Sequence, residues 1–195
     1  MGRARKRTIW SIIALACGAA LPAAGMCTEL EMAAQDALAS LVAQKYAATV
    51  EQFHYAATVP QQARVDDRKG MVAMLRAVFN DFDGLSLATR AADLDASDSN
   101  GLATVGIFSG DESDWRAESS RYSSTRVCYR VSRKSDASFV LSFRYIHPQD
   151  RWELLDILIS APAQNQDAVT QLSELGRRLN DSVRAQAAAP RQPQT

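Results

Sequence analysis

The sequence predicts an α+β fold in which helices flank an antiparallel sheet, and three patterns of apolar residues support this prediction. In residues 29–55 and 66–82 the apolar side chains recur every three or four positions, which is typical of amphipathic helices. From residue 85 to residue 159 the period changes to two, which is typical of half-buried strands. A last helical pattern covers residues 165–183. Strands grouped between helices, rather than alternating with them, indicate an α+β arrangement.

The breaks between these segments are marked by residues that end regular structure. Pro60 lies between the two N-terminal helices, and Gly84 follows the second helix, where a stop is expected. Asn100 and Gly101 form a tight-turn signal after the first strand. The expected strands are residues 85–94, 102–108, 125–133, 138–147 and 152–159.

The last three strands allow a prediction of their pairing. Apolar residues should pair with apolar residues, because a one-residue slip would move every side chain to the opposite face. One face should therefore collect Val127, Tyr129, Val131, Phe139, Leu141, Phe143, Tyr145, Leu155, Ile157 and Ile159. The second face also carries large apolar residues, Trp152, Leu154 and Leu158. We expect these three to form an interface that is covered either by the C-terminal helix or by a second subunit.

The first 25 residues have the layout of a secretory signal peptide. Four basic residues at positions 3–7 precede an apolar run at positions 9–21, and small residues follow from Ala23 to Gly25. We expect cleavage after Gly25 and export to the periplasm of a bacterium. The alternative is a segment that stays in the membrane, uncleaved or lipidated, and anchors a protein that faces the periplasm. The apolar run is shorter than the roughly 20 residues that a spanning helix needs.

Removal of the signal changes the charge balance of the chain. Four of the 22 basic residues and none of the 22 acidic residues lie in it, which leaves a net charge of about −4. A chain without a basic surplus is a poor partner for a phosphate backbone, so we expect no nucleic-acid binding. Residues 26–184 are then one domain of ordinary size, and the Ala-, Pro- and Gln-rich tail at residues 185–195 is expected to be disordered.

Two cysteines, Cys27 and Cys128, remain after cleavage. An oxidising compartment permits a disulfide between them. The alternative is two unpaired thiols, in which Cys128 is a small buried apolar residue. The sequence leaves both arrangements open.

Three stretches of the chain carry a resemblance to a known superfamily. They are residues 50–55, with the sequence Val-Glu-Gln-Phe-His-Tyr, residues 67–85, and the strand pair at residues 143–146 and 152–157. Over residues 33–160 the order of elements resembles the NTF2-like (SnoaL-type, cystatin-like) α+β roll. This resemblance implies two N-terminal helices packed on a curved antiparallel sheet, here with an added C-terminal helix. It also implies a pocket, which members of the superfamily use for catalysis, for ligand binding or only for dimerisation.

A search for catalytic chemistry in the sequence finds little. His54 ends the first predicted helix, where it could reach a pocket mouth or contact the terminal carbonyls of the helix, and His147 lies in a turn. We name no catalytic residue, and we expect no metal and no cofactor. Residues 93–101 are similar to a calcium loop but lack its glycine and its glutamate. The candidate pocket residues are His54, Trp115, Tyr129, Phe143 and Tyr145.

These observations favour a non-catalytic binding or assembly module of the bacterial cell envelope. Its partner would be a second copy of the chain or another envelope protein. The first alternative is a pocket that binds a small or lipid-like ligand. The second is a small NTF2-like enzyme, which the sequence favours less because it offers no evident acid–base pair.

Overall fold

The computed structural model describes residues 21–82, 84–95, 102–132 and 138–188 of the chain. The predicted signal peptide, the loop at residues 93–101 and the end of the tail lie wholly or mainly outside these residues. The helices are α1 (Leu21–Val42), α2 (Tyr46–Val50), α3 (Gln61–Phe79), α4 (Glu112–Arg121) and α5 (Gln166–Ala188). The strands are β1 (Thr89–Arg90), β2 (Leu102–Phe108), β3 (Ser124–Ser132), β4 (Ser138–Ile146) and β5 (Glu153–Pro162).

The strands form one open antiparallel sheet in the order β1-β3-β4-β5-β2. The predicted register of the last three strands is confirmed for β3 with β4 and for β4 with β5 up to Arg144, because Tyr129 lies opposite Leu141, and Leu141 lies opposite Ile159. These side chains belong to the inner face of the sheet and are buried in the main core. The α+β class predicted from the sequence is therefore confirmed.

A β-bulge between β4 and β5 corrects one part of the predicted register. The pairing shifts between Arg144 and Tyr145, so that Tyr145 lies opposite Leu154. Leu154 is thus fully buried in the inner core, whereas Leu155 takes the opposite direction and lines a small cavity on the outer side. A bulge inserts one residue into one strand only and so reverses the alternation beyond it. The grouping of Leu154 with Leu158 on a second face was wrong for this reason.

The helices that cover the inner face are α1, α2, α3 and α5. Helix α5 packs against α3, β2 and β5, and it buries Ala168, Leu172 and Leu175 in the main core. The C-terminal helix therefore covers the inner face, and not the outer face as one of the two expectations proposed. Trp152, at the start of the last hairpin strand, is half-buried and also packs against the inner core.

The first predicted helix, residues 29–55, is interrupted. Helix α1 ends at Val42, and Gln44 adopts a left-handed conformation with φ of 56°. The amide of Gln44 donates to the carbonyl of Leu41, and the amide of Lys45 donates to the carbonyl of Ser40. This pair of hydrogen bonds is the Schellman motif that ends many helices. The chain then turns back through α2, whose Tyr46 and Val50 are buried.

The first predicted strand, residues 85–94, is mostly two short 3₁₀ turns around a two-residue β1. Side-chain bonds hold this segment in place, because the Arg90 guanidinium donates to Glu31 of α1 and to Asp95. These hydrogen bonds raise the pKa of Arg90 above its ordinary value. The strand predicted over residues 85–94 was therefore wrong for most of its length: Leu85 and Ala91 are buried, whereas Leu87, at the alternate position, is largely exposed.

Helix α4 is absent from the sequence prediction. Asp111 caps its N-terminus by accepting a hydrogen bond of 2.9 Å from the amide of Asp114. Among its described residues only Glu118 is buried. Because apolar periodicity was the guide to helices, a helix with one buried residue that is charged left no signal.

Candidate functional site

The segment that follows α2 brings His54 against the start of β5. Phe53 makes a parallel bridge to Leu154, the His54 amide donates to the Leu154 carbonyl at 2.8 Å, and the Leu154 amide donates to the Gln52 carbonyl at 2.8 Å. The hydroxyl of Ser109, just after β2, donates to the His54 carbonyl. Backbone bonds to Leu154 and the hydroxyl of Ser109 therefore fix the position from which the His54 ring projects.

The His54 ring lies between two carboxylates. Nδ1 is 2.6 Å from Oε2 of Glu153, the first residue of β5, and Nε2 is 2.8 Å from Oε2 of Glu118 on α4. About a tenth of each of the His54 and Glu118 side chains is exposed. Tyr122 meets the ring edge-on, with 6.0 Å between ring centroids. The expectation that His54 contacts helix-end carbonyls was wrong, because α2 ends earlier, at Val50.

The two contacts of His54 constrain its protons. A neutral imidazole donates from one nitrogen only, so both contacts are hydrogen bonds when the ring is an imidazolium or when one of the carboxyls is protonated. In this arrangement neither ring nitrogen faces open space. The ring cannot take a proton from a bound molecule without first leaving a carboxylate.

His54, Glu118 and Glu153, together called the His54 group, form the floor of a cleft of about 290 Å³. This volume is at the lower end of the range for small-molecule sites. Helices α3 and α4, the segment after α2 and the turn between β4 and β5 surround it. The lining residues are Glu51, Phe53, His54, Tyr55, Ala57, Arg64, Arg68, Glu118, Arg121, Tyr122, Pro148, Gln149, Arg151 and Glu153. A second cleft of about 300 Å³ adjoins it on the far side of Glu153 and Arg151.

Tyr55 connects the cleft to α3. Its hydroxyl donates to Oδ2 of Asp67 at 2.8 Å, and the same oxygen accepts the Gly110 amide at 3.2 Å. Burial, together with the hydrogen bond to Asp67, raises the pKa of Tyr55 well above its ordinary value. Tyr55 therefore stays neutral at physiological pH and serves as a fixed wall of the cleft.

Trp115, one of the candidate pocket residues, lies behind the His54 group. Its Nε1 donates to Oδ2 of the fully buried Asp156 at 2.9 Å, and the Arg144 guanidinium stacks over its ring. Arg144 also forms an ion pair with Asp156. Trp115 and His54 share a cavity of about 10 Å³, which has room for at most one water. Trp115 thus fastens α4 to the outer face of the sheet.

Three other candidate pocket residues, Tyr129, Phe143 and Tyr145, are core residues. All three are buried in the inner face, and none of them lines the cleft around His54. Burial raises the pKa of both tyrosine hydroxyls above the ordinary value. Of the five candidates, only His54 lines the cleft, and Trp115 shares the small cavity behind it.

The outer face of the sheet carries a separate groove of about 240 Å³. Its apolar lining includes Leu102, Val140 and Leu158. Cys128 also lines it as a free, buried thiol whose pKa is raised by burial. The side chain of Cys27 lies outside the described residues, so the disulfide between the two cysteines stays a prediction.

Two residues of the site, Glu118 and Glu153, were missed from the sequence. Glu118 is far from His54 along the chain, and Glu153 is the polar first residue of a mainly apolar strand, a position where many residues are solvated. The Asp111 cap with Asp114 three residues later was the available signal for α4 and hence for Glu118.

Within the described ranges, no group of three or more His, Cys, Asp or Glu side chains is arranged to hold a metal ion. No helix in the same part of the chain combines the length and the apolar character that crossing a membrane requires. Comparison of the chain with protein families, with curated proteins and with solved structures gives no match. The site must therefore be interpreted from its own chemistry.

Proposed function

We propose that this chain is a non-catalytic binding module of the bacterial cell envelope, and that the cleft above His54 is its ligand site. One observation carries the proposal: both ring nitrogens of His54 are engaged by the protein's own carboxylates at the floor of a cleft of about 290 Å³. A general base needs a nitrogen that faces its substrate. A rigid, internally satisfied floor suits recognition better than proton transfer.

The proposal includes the fold and the periplasmic localisation suggested by the sequence. We propose that the domain is a variant of the NTF2-like roll, supported by N-terminal helices that precede a five-stranded antiparallel sheet. Helix α4, between β2 and β3, and helix α5 are then additions to that arrangement. The basic, apolar and small-residue segments of positions 1–25 support export to the periplasm with cleavage after Gly25.

A native mass spectrum of protein purified from the periplasmic fraction tests both parts of the proposal. The expected result is a chain that begins at Met26 and carries a small molecule, which is released on denaturation. Substitution Ala57→Trp should abolish this adduct, because the exposed Ala57 lines the cleft and an indole there would fill it.

Ala163→Trp is the matched control. Ala163 is equally exposed but lies after β5 and lines none of the described clefts. It should leave the adduct unchanged. An unprocessed chain in the membrane fraction would refute the proposed cleavage and periplasmic localisation. Binding that persists in Ala57→Trp, or turnover that depends on His54, would refute the proposed site or its non-catalytic character.

A second candidate is a binder of lipid-like molecules at the outer groove. The observation in its favour is the apolar lining by Leu102, Val140 and Leu158. An acyl chain found in the native mass spectrum, and lost in Leu158→Asp rather than in Ala57→Trp, would favour this candidate over the first.

A further inference from the structure

The walls of the cleft are basic, although its floor is acidic. Among the described residues that line it, four are arginines and three are glutamates. Two of these glutamates, Glu118 and Glu153, direct a carboxylate oxygen to His54, and at most 14% of their side chains is exposed. A molecule that enters from solvent therefore meets four guanidinium groups and one exposed carboxylate, that of Glu51, before it meets the two floor carboxylates.

Arg64 carries a positive charge that the protein fixes in place without neutralising it. Its Nε donates to the Val59 carbonyl at 2.9 Å, and one terminal nitrogen donates to the Ala56 carbonyl at 3.0 Å. No carboxylate of the described residues forms an ion pair with it. Carbonyl oxygens orient a guanidinium but leave its full charge, so the group stays available to an anion.

Arg68 lies one helical turn further along α3 and points to the same cleft. It stacks over the Tyr55 ring at 5.5 Å, and one terminal nitrogen is 3.1 Å from Oε2 of Glu51. Glu51 is largely exposed, with 64% of its side chain accessible. A solvent-exposed partner of this kind contributes little and can be displaced by a better-placed oxyanion.

Arg121 and Arg151 stand at the rim, with 64% and 76% of their side chains exposed. Each pairs with a glutamate that already contacts His54, at 3.9 Å for Arg121 and Glu118. The positive charge of the rim therefore helps to offset the floor carboxylates. Of the four arginines, Arg64 and Arg68 are therefore the two that are available to contact a ligand.

We propose that the cleft selects a small oxyanion, a molecule with a carboxylate or phosphate group, which Arg64 and Arg68 grip together. The guanidinium fork matches the geometry of both oxyanions. The inference rests on the proposed ligand site and adds the chemical class of the ligand. It does not require His54 to change its partners.

Titration of the mature full-length domain followed by ¹⁵N NMR tests the inference. The probes are succinate, inorganic phosphate, putrescine and glucose at matched ionic strength. Succinate or phosphate should shift the resonances of Ala57 and Tyr122, and the neutral and cationic probes should not. Arg68→Gln should weaken anion binding at least about tenfold, since a charge-assisted hydrogen bond contributes that much or more.

Arg68→Lys keeps the charge without the fork, so its affinity should fall between those of the wild type and Arg68→Gln. Arg177→Gln on α5 removes an exposed arginine far along the chain and should leave the affinity unchanged. Circular dichroism checks that each variant is folded, and Arg64→Gln provides a second test of the pair.

Two results would overturn the inference. One is a response of Ala57 and Tyr122 to glucose or putrescine without a response to either anion, which would leave the proposed ligand site in place. The other is anion binding that Arg177→Gln weakens as much as Arg68→Gln does. A cleft that responds to none of the four probes, and that yields no co-purified molecule, would instead refute both the inference and the ligand site.

Discussion

At the scale of single residues, the environment of His54 determines which elements its ring connects and how much stability is lost when the ring is removed. The ring brings together a segment after α2, helix α4 and strand β5 through two short polar contacts. Glu118 is 8% exposed, so its carboxylate is largely removed from water. A buried carboxylate is stable only when its lost hydration is replaced by hydrogen bonds or by an opposite charge.

Replacement of His54 by alanine should therefore lower the free energy of unfolding by about 1–3 kcal/mol, because Glu118 would lose the partner of its Oε2 atom. Glu118→Gln should have a smaller effect, since an amide can still accept from the ring. The double variant should be less destabilised than the sum of the two single ones. Urea unfolding of the four proteins measures the coupling.

His147→Ala is the control for the His54 variants. His147 lies in the turn after β4 and contacts Trp152 edge-on at 4.7 Å, without a carboxylate contact in the described residues. We expect a loss of about 0.5–1.5 kcal/mol, that of one aromatic pair, and no coupling to Glu118→Gln. Strictly additive effects of His54→Ala and Glu118→Gln would contradict the description of the two as one unit.

At the scale of elements, the junction of α1 and α2 is the clearest local conflict between residue type and conformation. Gln44 is exposed and takes the left-handed position of a Schellman motif, where glycine is preferred. A side chain in this conformation costs roughly 1–2 kcal/mol, which glycine avoids. Part of that gain is cancelled because glycine has more conformational freedom in the unfolded chain.

Gln44→Gly should therefore raise stability by up to about 1 kcal/mol, or a few degrees in Tm for a chain of this size. Ala43→Gly, at the preceding exposed position, should instead lower it, because Ala43 has no positive φ to relieve. Differential scanning calorimetry of both variants distinguishes backbone relief from a general effect of glycine. A lower Tm for Gln44→Gly would show that the motif is held by other contacts.

At the scale of the whole molecule, the hydroxyls of several tyrosines link the fold to pH. Burial is the main cause that raises the pKa values of Tyr55, Tyr129 and Tyr145 above the ordinary value near 10. The unfolded chain then releases these protons at a lower pH than the folded chain. Stability is fully present below about pH 10 and falls as the pH rises above it.

Urea unfolding at pH 8, 9, 10 and 11 should show a constant midpoint up to about pH 9 and a marked decline beyond pH 10. Tyr145→Phe should flatten the decline, because the fully buried Tyr145 would no longer lose a proton on unfolding. The absorbance of tyrosinate, followed during the same titration, should rise together with unfolding. A midpoint that is independent of pH between 9 and 11 would contradict the buried state of these hydroxyls.

Much of the fold was determined by the sequence alone, because local periodicity reports which face of an element is buried. The apolar stripes of α3 and α5 correctly predicted that both segments are helices. The alternation of apolar residues in β3 and β4 was enough to predict how these two strands pair. The sequence indicated His54 as a candidate pocket residue, but it did not indicate that Glu118 and Glu153 are the partners of its ring.

The tertiary structure decided what periodicity does not encode. The bulge at Arg144 turned Leu154 inward, because the position of an extra residue depends on how two strands meet. Helix α4 lies over a sheet face and buries a carboxylate, so the sequence has no apolar stripe that would have predicted this helix. The cluster of His54, Glu118 and Glu153 joins residues up to 99 positions apart, and contacts of that range arise only when the chain has folded.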